Sequence, residues 1–470
     1  MKRSIIVASC AIVGLLVACA ELFDEPSQCK SDRDCTKYGG VCDVTRAVCI
    51  PAPGGPGSEG GVTDDGGPIV DAAEEPEPPP PPGCDAPSKD TAEVTATADA
   101  AGDSEIQSNI TLDCTKDWIL KDRTFVKPGV TVTIQPGTRI LALANAALVV
   151  QRGAKLQASG LSSQPIVFTA SGVAPAAGAW RGLYVLGNAP NAGTYNGQAT
   201  GQYAYGGNQD ADNSGTLKYV RVEYATDGLV LGGVGNGTVI DYVQVRRTGA
   251  TQCFAIAGGR FNAKHLACQF PGDDMFEITN GYDGKLQFLF GHKGAAGGGH
   301  NGIQIDTGAF PKIANVTMCG EANGNQSVGF QFRNNARFDI ANAIFTNWGV
   351  GTDYFINNGS TPQNPMTLRN SIIADNGVNP ALNEVEGGTP PDNDNGFDEL
   401  AWVGDAGSIS TSSAGLVACH DVNNFQPWPP AQINGATLND PFFDNANYIG
   451  AFKDQNDGWM KGAWVKLTDP

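Results

Sequence analysis

The chain has 470 residues and a formal net charge of −19. That balance excludes a nucleic-acid binder, because no basic patch is present to displace counterions from phosphates, and it offers no polybasic attachment to anionic lipid. An acidic surface suits solubility, cation binding and neutral partners.

The first element is the apolar run Ile5 to Val17 behind Lys2 and Arg3. It is too short to span a bilayer as a helix, so residues 1–18 read as a secretory signal. The run closes on Leu16-Val17-Ala18-Cys19, which resembles the lipobox of bacterial lipoproteins. The resemblance implies cleavage before Cys19 and a lipid on its thiol. The protein would then sit on the bacterial cell envelope, at the outer membrane or cell surface, with the membrane as a partner. Plain cleavage without lipid is the alternative. Val7-Ala8-Ser9-Cys10 fits the pattern loosely, with too little apolar sequence before it. Of 12 cysteines, loss of Cys10 with the signal and use of Cys19 leave ten, an even number that suits an oxidising compartment.

Residues 19–50 form a lipidated start followed by a small module with cysteines at 29, 35, 42 and 49. So short a polar segment lacks apolar mass for a core, so Cys29, Cys35, Cys42 and Cys49 are expected in two disulfides of open pairing. A zinc site would need CxxC spacing or histidines, and neither is present. Residues 51–83, rich in Gly, Pro and acidic side chains, read as an extended, disordered stalk.

From about residue 100 short runs of Val, Ile, Gly, Asn and Thr alternate and break at Gly or Pro-Gly, which predicts an all-β domain over 84–385. LKYVRV at Leu217 recurs with its first aliphatic residue at Ile240, Ala263, Leu286, Ile313, Ile340 and Leu368. The offsets are 23, 23, 23, 27, 27 and 28 residues. A second strand pattern lies between the copies: GLVLGG, FAIAGG, FEITNG, GIQID, GFQFRNN and YFINNG. Two or more short strands per repeat predict a solenoid of stacked parallel coils. On these features the chain resembles right-handed parallel β-helix proteins over roughly 105–380. YGGNQDADNSGTLKYVRVEYA, NAKHLACQFPGDDMFEITNGYDGKLQF and DPFFDNANYIGAF look like an uncharacterised family of secreted bacterial β-helix proteins. The period is lost over 386–470, a region expected to cap the open end of the solenoid.

Alternation in LKYVRVEY places Val220 and Val222 in the core and Tyr219, Arg221 and Glu223 outside. Carried along the coils, this phase stacks Tyr219, Tyr242, His265 and Phe288 on one outer face. Beside them run Arg221, Gln244, Ala267 and Phe290, then Glu223, Arg246, Gln269 and His292. A flat aromatic strip flanked by hydrogen-bonding groups suits sugar rings. The bland alternative is that the strip packs under a loop or the C-terminal segment. Asn280, Asn335 and Asn357 follow the second strand, and resemblance to other β-helices suggests an internal asparagine ladder there. Cys253 with Cys268, and Cys319 with Cys419, are candidate disulfides, although Cys268 in the core phase also suits a buried thiol.

Two acidic loops are candidate calcium sites: Asn208, Asp210 and Asp212, and Asp392, Asp394 and Asp398. Solvated Asn/Asp/Gly turns are the alternative. No cofactor is required, and calcium is the only ion the sequence suggests. Asp273 and Asp274 with Glu277, then His300, Asn301 and Asp306, make the best catalytic cluster. Polygalacturonase-type β-helices similarly join an Asp-Asp pair to a Gly-His-Gly and use two carboxylates as acid and base. Here Asn301 follows His300 in place of Gly, and no Arg-x-Lys lies downstream. The expected function is presentation of a rigid β-helix that binds a glycan or surface protein without catalysis. The alternatives are a polysaccharide hydrolase or lyase at Asp273, Asp274 and His300, and a structural envelope component.

Overall fold

The computed structural model describes residues 40–43, 48–51, 77, 84, 89–99, 101–195, 201–294, 301–321, 327–356, 363–376, 397–405, 409–411, 413–416, 418–419 and 425–467. The chain divides into two compact units, Met1–Pro76 and Glu77–Pro470. In the first, strands Gly40–Asp43 and Val48–Pro51 form an antiparallel hairpin with Cys42 opposite Cys49 in the backbone register. Cys19, Cys29 and Cys35 lie outside the described residues.

A coil of a solenoid buries its inward side chains only against the next coil, so the apolar phase must recur in space as well as in sequence. It does. Leu217, Ile240, Ala263, Leu286, Ile313, Ile340 and Leu368 are partners in successive parallel strands, all buried. The second unit is an all-β parallel solenoid of about ten turns. Its larger sheet has 16 strands among the described residues and runs from Asp90–Glu93 to Ile409–Thr411. The smaller has 11 and contains the second repeat pattern as Leu229–Gly232, Phe254–Ala257, Phe276–Thr279, Asn301–Ile305, Val328–Arg333 and Val350–Phe355.

The long strands bend, which alternation alone does not foresee. Lys155–Ser159 and Ile166–Ala170 are separate strands of one coil, joined by a loop. Both pair with the next long strand, Gly215–Glu223, Ala158 against Leu217 and Ile166 against Val220. In that strand the loop has shrunk to one residue, Tyr219, at φ 50°. Tyr242, His265, Phe288, Asn315 and Asn342 occupy the same corner at φ 52–59°. Left-handed backbone costs a non-glycine residue roughly 1–2 kcal/mol. The corner shifts the phase by one, so Leu217 and Val220, three apart, are both fully buried. Burying an additional aliphatic side chain per coil, at about 1.5–3 kcal/mol each, offsets the strain.

The described residues after 386 pack on the solenoid in two different places. Helix Glu399–Asp405 closes the end: Phe397, Trp402 and Val403 join the core, and Glu399 Oε1 accepts the Tyr354 amide at 3.1 Å. Residues 425–467 instead run back along the outside of the large sheet. Their contacts reach from the coil of Asn342, whose Nδ2 donates to the Ala436 carbonyl, to that of Ser162, whose carbonyl accepts the Trp464 amide at 3.0 Å. Asn315 Nδ2 donates to the carbonyls of Ala446 and Tyr448 at 3.0 and 2.8 Å. The asparagines at the bend therefore hold this strap. At the expected ladder, Asn280 turns outward to the Tyr205 hydroxyl at 3.1 Å, and Asn357 lies outside the described residues. Disulfides join Cys84 to Cys114, Cys253 to Cys268, and Cys319 to Cys419, the last ahead of the strap in sequence.

Candidate functional site

The aromatic strip stacks as the strand phase requires. Tyr219–Tyr242, Tyr242–His265 and His265–Phe288 have ring centroids 4.5, 4.1 and 4.8 Å apart. Its outer face is covered. Trp464 packs edge-on against Tyr219 and Tyr242, and Trp459 tilts over His265. Asp241 engages His265 Nδ1 at 2.7 Å. The neighbouring rows are closed as well: Gln244, Phe290, Arg246, Gln269 and His292 face outward yet are 0 % exposed. Tyr219 and Phe288 are buried, and Tyr242 and His265 half-buried, beneath the C-terminal strap, which leaves no flat open strip for a sugar ring.

The opposite situation holds on the small sheet. One outward row runs through Phe125, Val149, Tyr184, Val230, Ala255, Glu277, Gln304, Gln331 and Asp353, each paired with the next. From Phe125 to Ala255 the row is apolar or aromatic. There it lies under Tyr195, Tyr203 and Tyr205 of the segment around the Gly193–Thr194 and Ala204–Tyr205 hairpin. At Glu277 the row becomes carboxylate and amide, and a cleft of about 350 Å³ opens. Asp273, Asp274, Asn301 and Arg333 line it together with Glu277, Gln304 and Gln331.

Asp274 sits in the turn before strand Phe276–Thr279 and is 4 % exposed. Its Oδ1 accepts the Asn301 amide at 2.9 Å. Burial, then the charges of Asp273 and Glu277, push its carboxyl well above the usual range. Glu277 is also pushed up by burial, with Arg333 opposing. Arg333 Nε donates to Asp306 at 2.7 Å. Gln304 Oε1 accepts from Asn301 Nδ2 at 3.2 Å, and Gln331 Nε2 donates to Asp353 at 2.7 Å. The cleft therefore offers one buried carboxyl biased toward its protonated form, a second carboxylate beside it, and amides suited to hydroxyl groups.

Asp273 and Asp274 are thus brought together with Glu277 as the sequence suggests, while His300 lies outside the described residues. Gln304, Gln331 and Arg333 are missing from the sequence reading. The signal for the two glutamines was present, because FEITNG, GIQID and GFQFRNN place Glu, Gln and Gln at one outward position.

The candidate calcium loops have other occupations. Asp210 faces Arg260 Nε at 3.4 Å, and Asp212 accepts from the Ser214 hydroxyl at 3.0 Å and from Asn188 Nδ2. Asp398 caps the closing helix by accepting the Ala401 amide at 2.9 Å. Asn208 is exposed, and Asp392 and Asp394 lie outside the described residues. Among the described residues no group of three His, Cys or acidic side chains is placed to hold a metal ion.

A raised carboxyl pKa has a signed consequence for stability. Below the unfolded value, about 3.9 for Asp, both states bind the proton. Above it the unfolded state releases the proton first, so stability falls as pH rises through the folded value. Asp274→Asn keeps an acceptor for the Asn301 amide and removes that loss. Thermal melts of the variant are expected to lie several degrees above wild type at pH 7 and to converge with it near pH 3. Equal melting temperatures at pH 7 would refute the burial account.

Together these features define an all-β parallel solenoid with a polar cleft on one sheet. The chain belongs to the pectate-lyase-like β-helix domain family, whose profile matches residues 104–386. No curated protein and no solved structure matches it.

Proposed function

We propose that the protein is a lipid-anchored component of the bacterial cell envelope whose β-helix binds a saccharide in the cleft at Asp274, Glu277, Gln304 and Gln331. The observation that carries this reading is the change along the outward row of the small sheet. The row is apolar or aromatic and covered from Phe125 to Ala255, and carboxylate and amide over an open cleft from Glu277 onward. Paired amides and carboxylates on a rigid sheet recognise hydroxyl-rich ligands through several positioned hydrogen bonds. Membership of a pectate-lyase-like family supports a carbohydrate ligand. The lipobox ending in Cys19 supports the membrane attachment, and the acidic Gly/Pro segment 51–83 supports display away from it.

The test is retention of purified protein on an array of soluble polysaccharides, repeated with Gln304→Ala and Gln331→Ala. Each variant is expected to weaken retention about tenfold, in line with hydrogen bonds of roughly 0.5–1.5 kcal/mol and the cost of leaving a partner unmet. Undiminished retention in both would remove the cleft as the binding site.

Hydrolysis is a second reading, favoured by the Asp274 carboxyl. A buried carboxyl held protonated beside another carboxylate matches the acid of an acid–base pair on a glycosidic bond. Under this reading reducing ends accumulate from the retained polymer and disappear in Asp274→Asn. Retention without new reducing ends supports binding alone.

A further inference from the structure

The cleft is open at Gln304 and Gln331 in a specific sense. Gln304 is 4 % exposed, and its Oε1 is occupied by Asn301. Among the described residues its Nε2 donates to no protein acceptor, and Gln331 Oε1 accepts from no protein donor. One coil apart, about 4.8 Å, the row thus presents a donor and then an acceptor. A hydroxyl can answer either, because it donates and accepts.

The charge around that pair is one-sided. Asp273 and Glu277 line one end, and Asp353 lies beyond Gln331 in the same row. Among the described residues Arg333 is the one cationic side chain in the lining, and it is bonded to Asp306. An anionic polymer entering here would meet carboxylates with low-dielectric walls behind them, where like charges repel more strongly than in water.

We propose that the cleft selects an uncharged saccharide and rejects polyuronates. This rests on the saccharide-binding reading above and adds its ligand class: hydroxyls meet Gln304 and Gln331 while the flanking carboxylates exclude a charged chain. The rejection is electrostatic, so salt should weaken it. The Debye length falls from about 10 Å at 0.1 M to about 3 Å at 1 M ionic strength.

The experiment measures retention of the full-length protein on a set of neutral glucans, mannans and galactans, on polygalacturonate and on chitosan. The measurement is made at 0.1 M and 1 M salt, with wild type and Glu277→Gln. The expected result is a neutral polymer retained at least tenfold better than polygalacturonate at 0.1 M. That ratio should shrink several-fold at 1 M salt and in Glu277→Gln. Stronger retention of polygalacturonate or chitosan than of every neutral polymer overturns the ligand class while leaving saccharide binding in place. A preference for neutral polymers that is indifferent to both salt and Glu277→Gln overturns the electrostatic cause. Retention of nothing overturns the saccharide-binding reading and this inference with it.

Discussion

Glu223→Ala is expected to destabilise the protein by about 3–5 kcal/mol, the range seen when one partner of a buried ion pair is removed. Glu223 Oε1 accepts from Arg221 Nε at 2.9 Å and lies 3.6 Å from Nη1 of Arg246, one coil on. The Arg246 side chain is 0 % exposed and that of Glu223 8 % exposed. Burial pushes the Arg246 guanidinium down, and Glu223 is the largest influence holding it up. Without the carboxylate, two cations one coil apart share a dry space beneath the strap. The measurement is a urea-unfolding midpoint at pH 7, with Glu223→Ala/Arg246→Met as its companion. Removing both charges should recover at least half the loss, because a buried pair replaced by apolar groups is often neutral. A loss under 1 kcal/mol for the single variant would show that the pair is solvated.

Trp464→Ala carries a comparable expected cost, about 3–5 kcal/mol, as for other large aromatic-to-alanine changes in cores. Trp464 is 1 % exposed, with ring centroids 6.2 Å from Tyr219 and 5.6 Å from Tyr242. Its backbone also receives from the solenoid side, where Arg221 Nη1 donates to the Trp464 carbonyl at 3.1 Å. Losing the ring should uncover Tyr219 and Tyr242 and leave the last stretch of the strap open to limited proteolysis. A variant with unchanged unfolding midpoint and unchanged cleavage would mean that the strap is held by its polar contacts alone. Those include Gln244 Oε1 accepting the Lys466 amide at 2.8 Å and Gln287 Oε1 accepting the Asp444 amide at 2.8 Å.

The repeat made the coils legible because burial in a solenoid forces the same phase on every turn. Leu217 and Ile240 are recognisable for that reason before any coordinates. The bend at Tyr219 was not legible, since strand alternation assumes continuous β backbone and a single left-handed residue resets the count. That the C-terminal segment covers the aromatic strip was legible as an alternative, but its path and its polar anchors were not. Residues 425–467 repeat nothing, and their partners Gln244, Gln287, Asn315 and Asn342 read as ordinary outward positions on coils up to a hundred residues apart. Asp273 and Asp274 stood out as adjacent acids in the sequence. Gln304 and Gln331 did not, because a glutamine every 27 residues carries no chemistry until the register lines it up beside Glu277.

The strap also changes how the molecule should come apart. Stacked coils interact with nearest neighbours, so a bare solenoid frays from its ends under heat or load, one rung at a time. A segment anchored at Asn342 and again at Ser162 spans many rungs, and Cys319–Cys419 ties the chain just before it to the coil next to Asn342. Peeling the last coil then means detaching the strap from the earlier ones as well. The array behaves like a laced sheaf, which yields all at once or not at all.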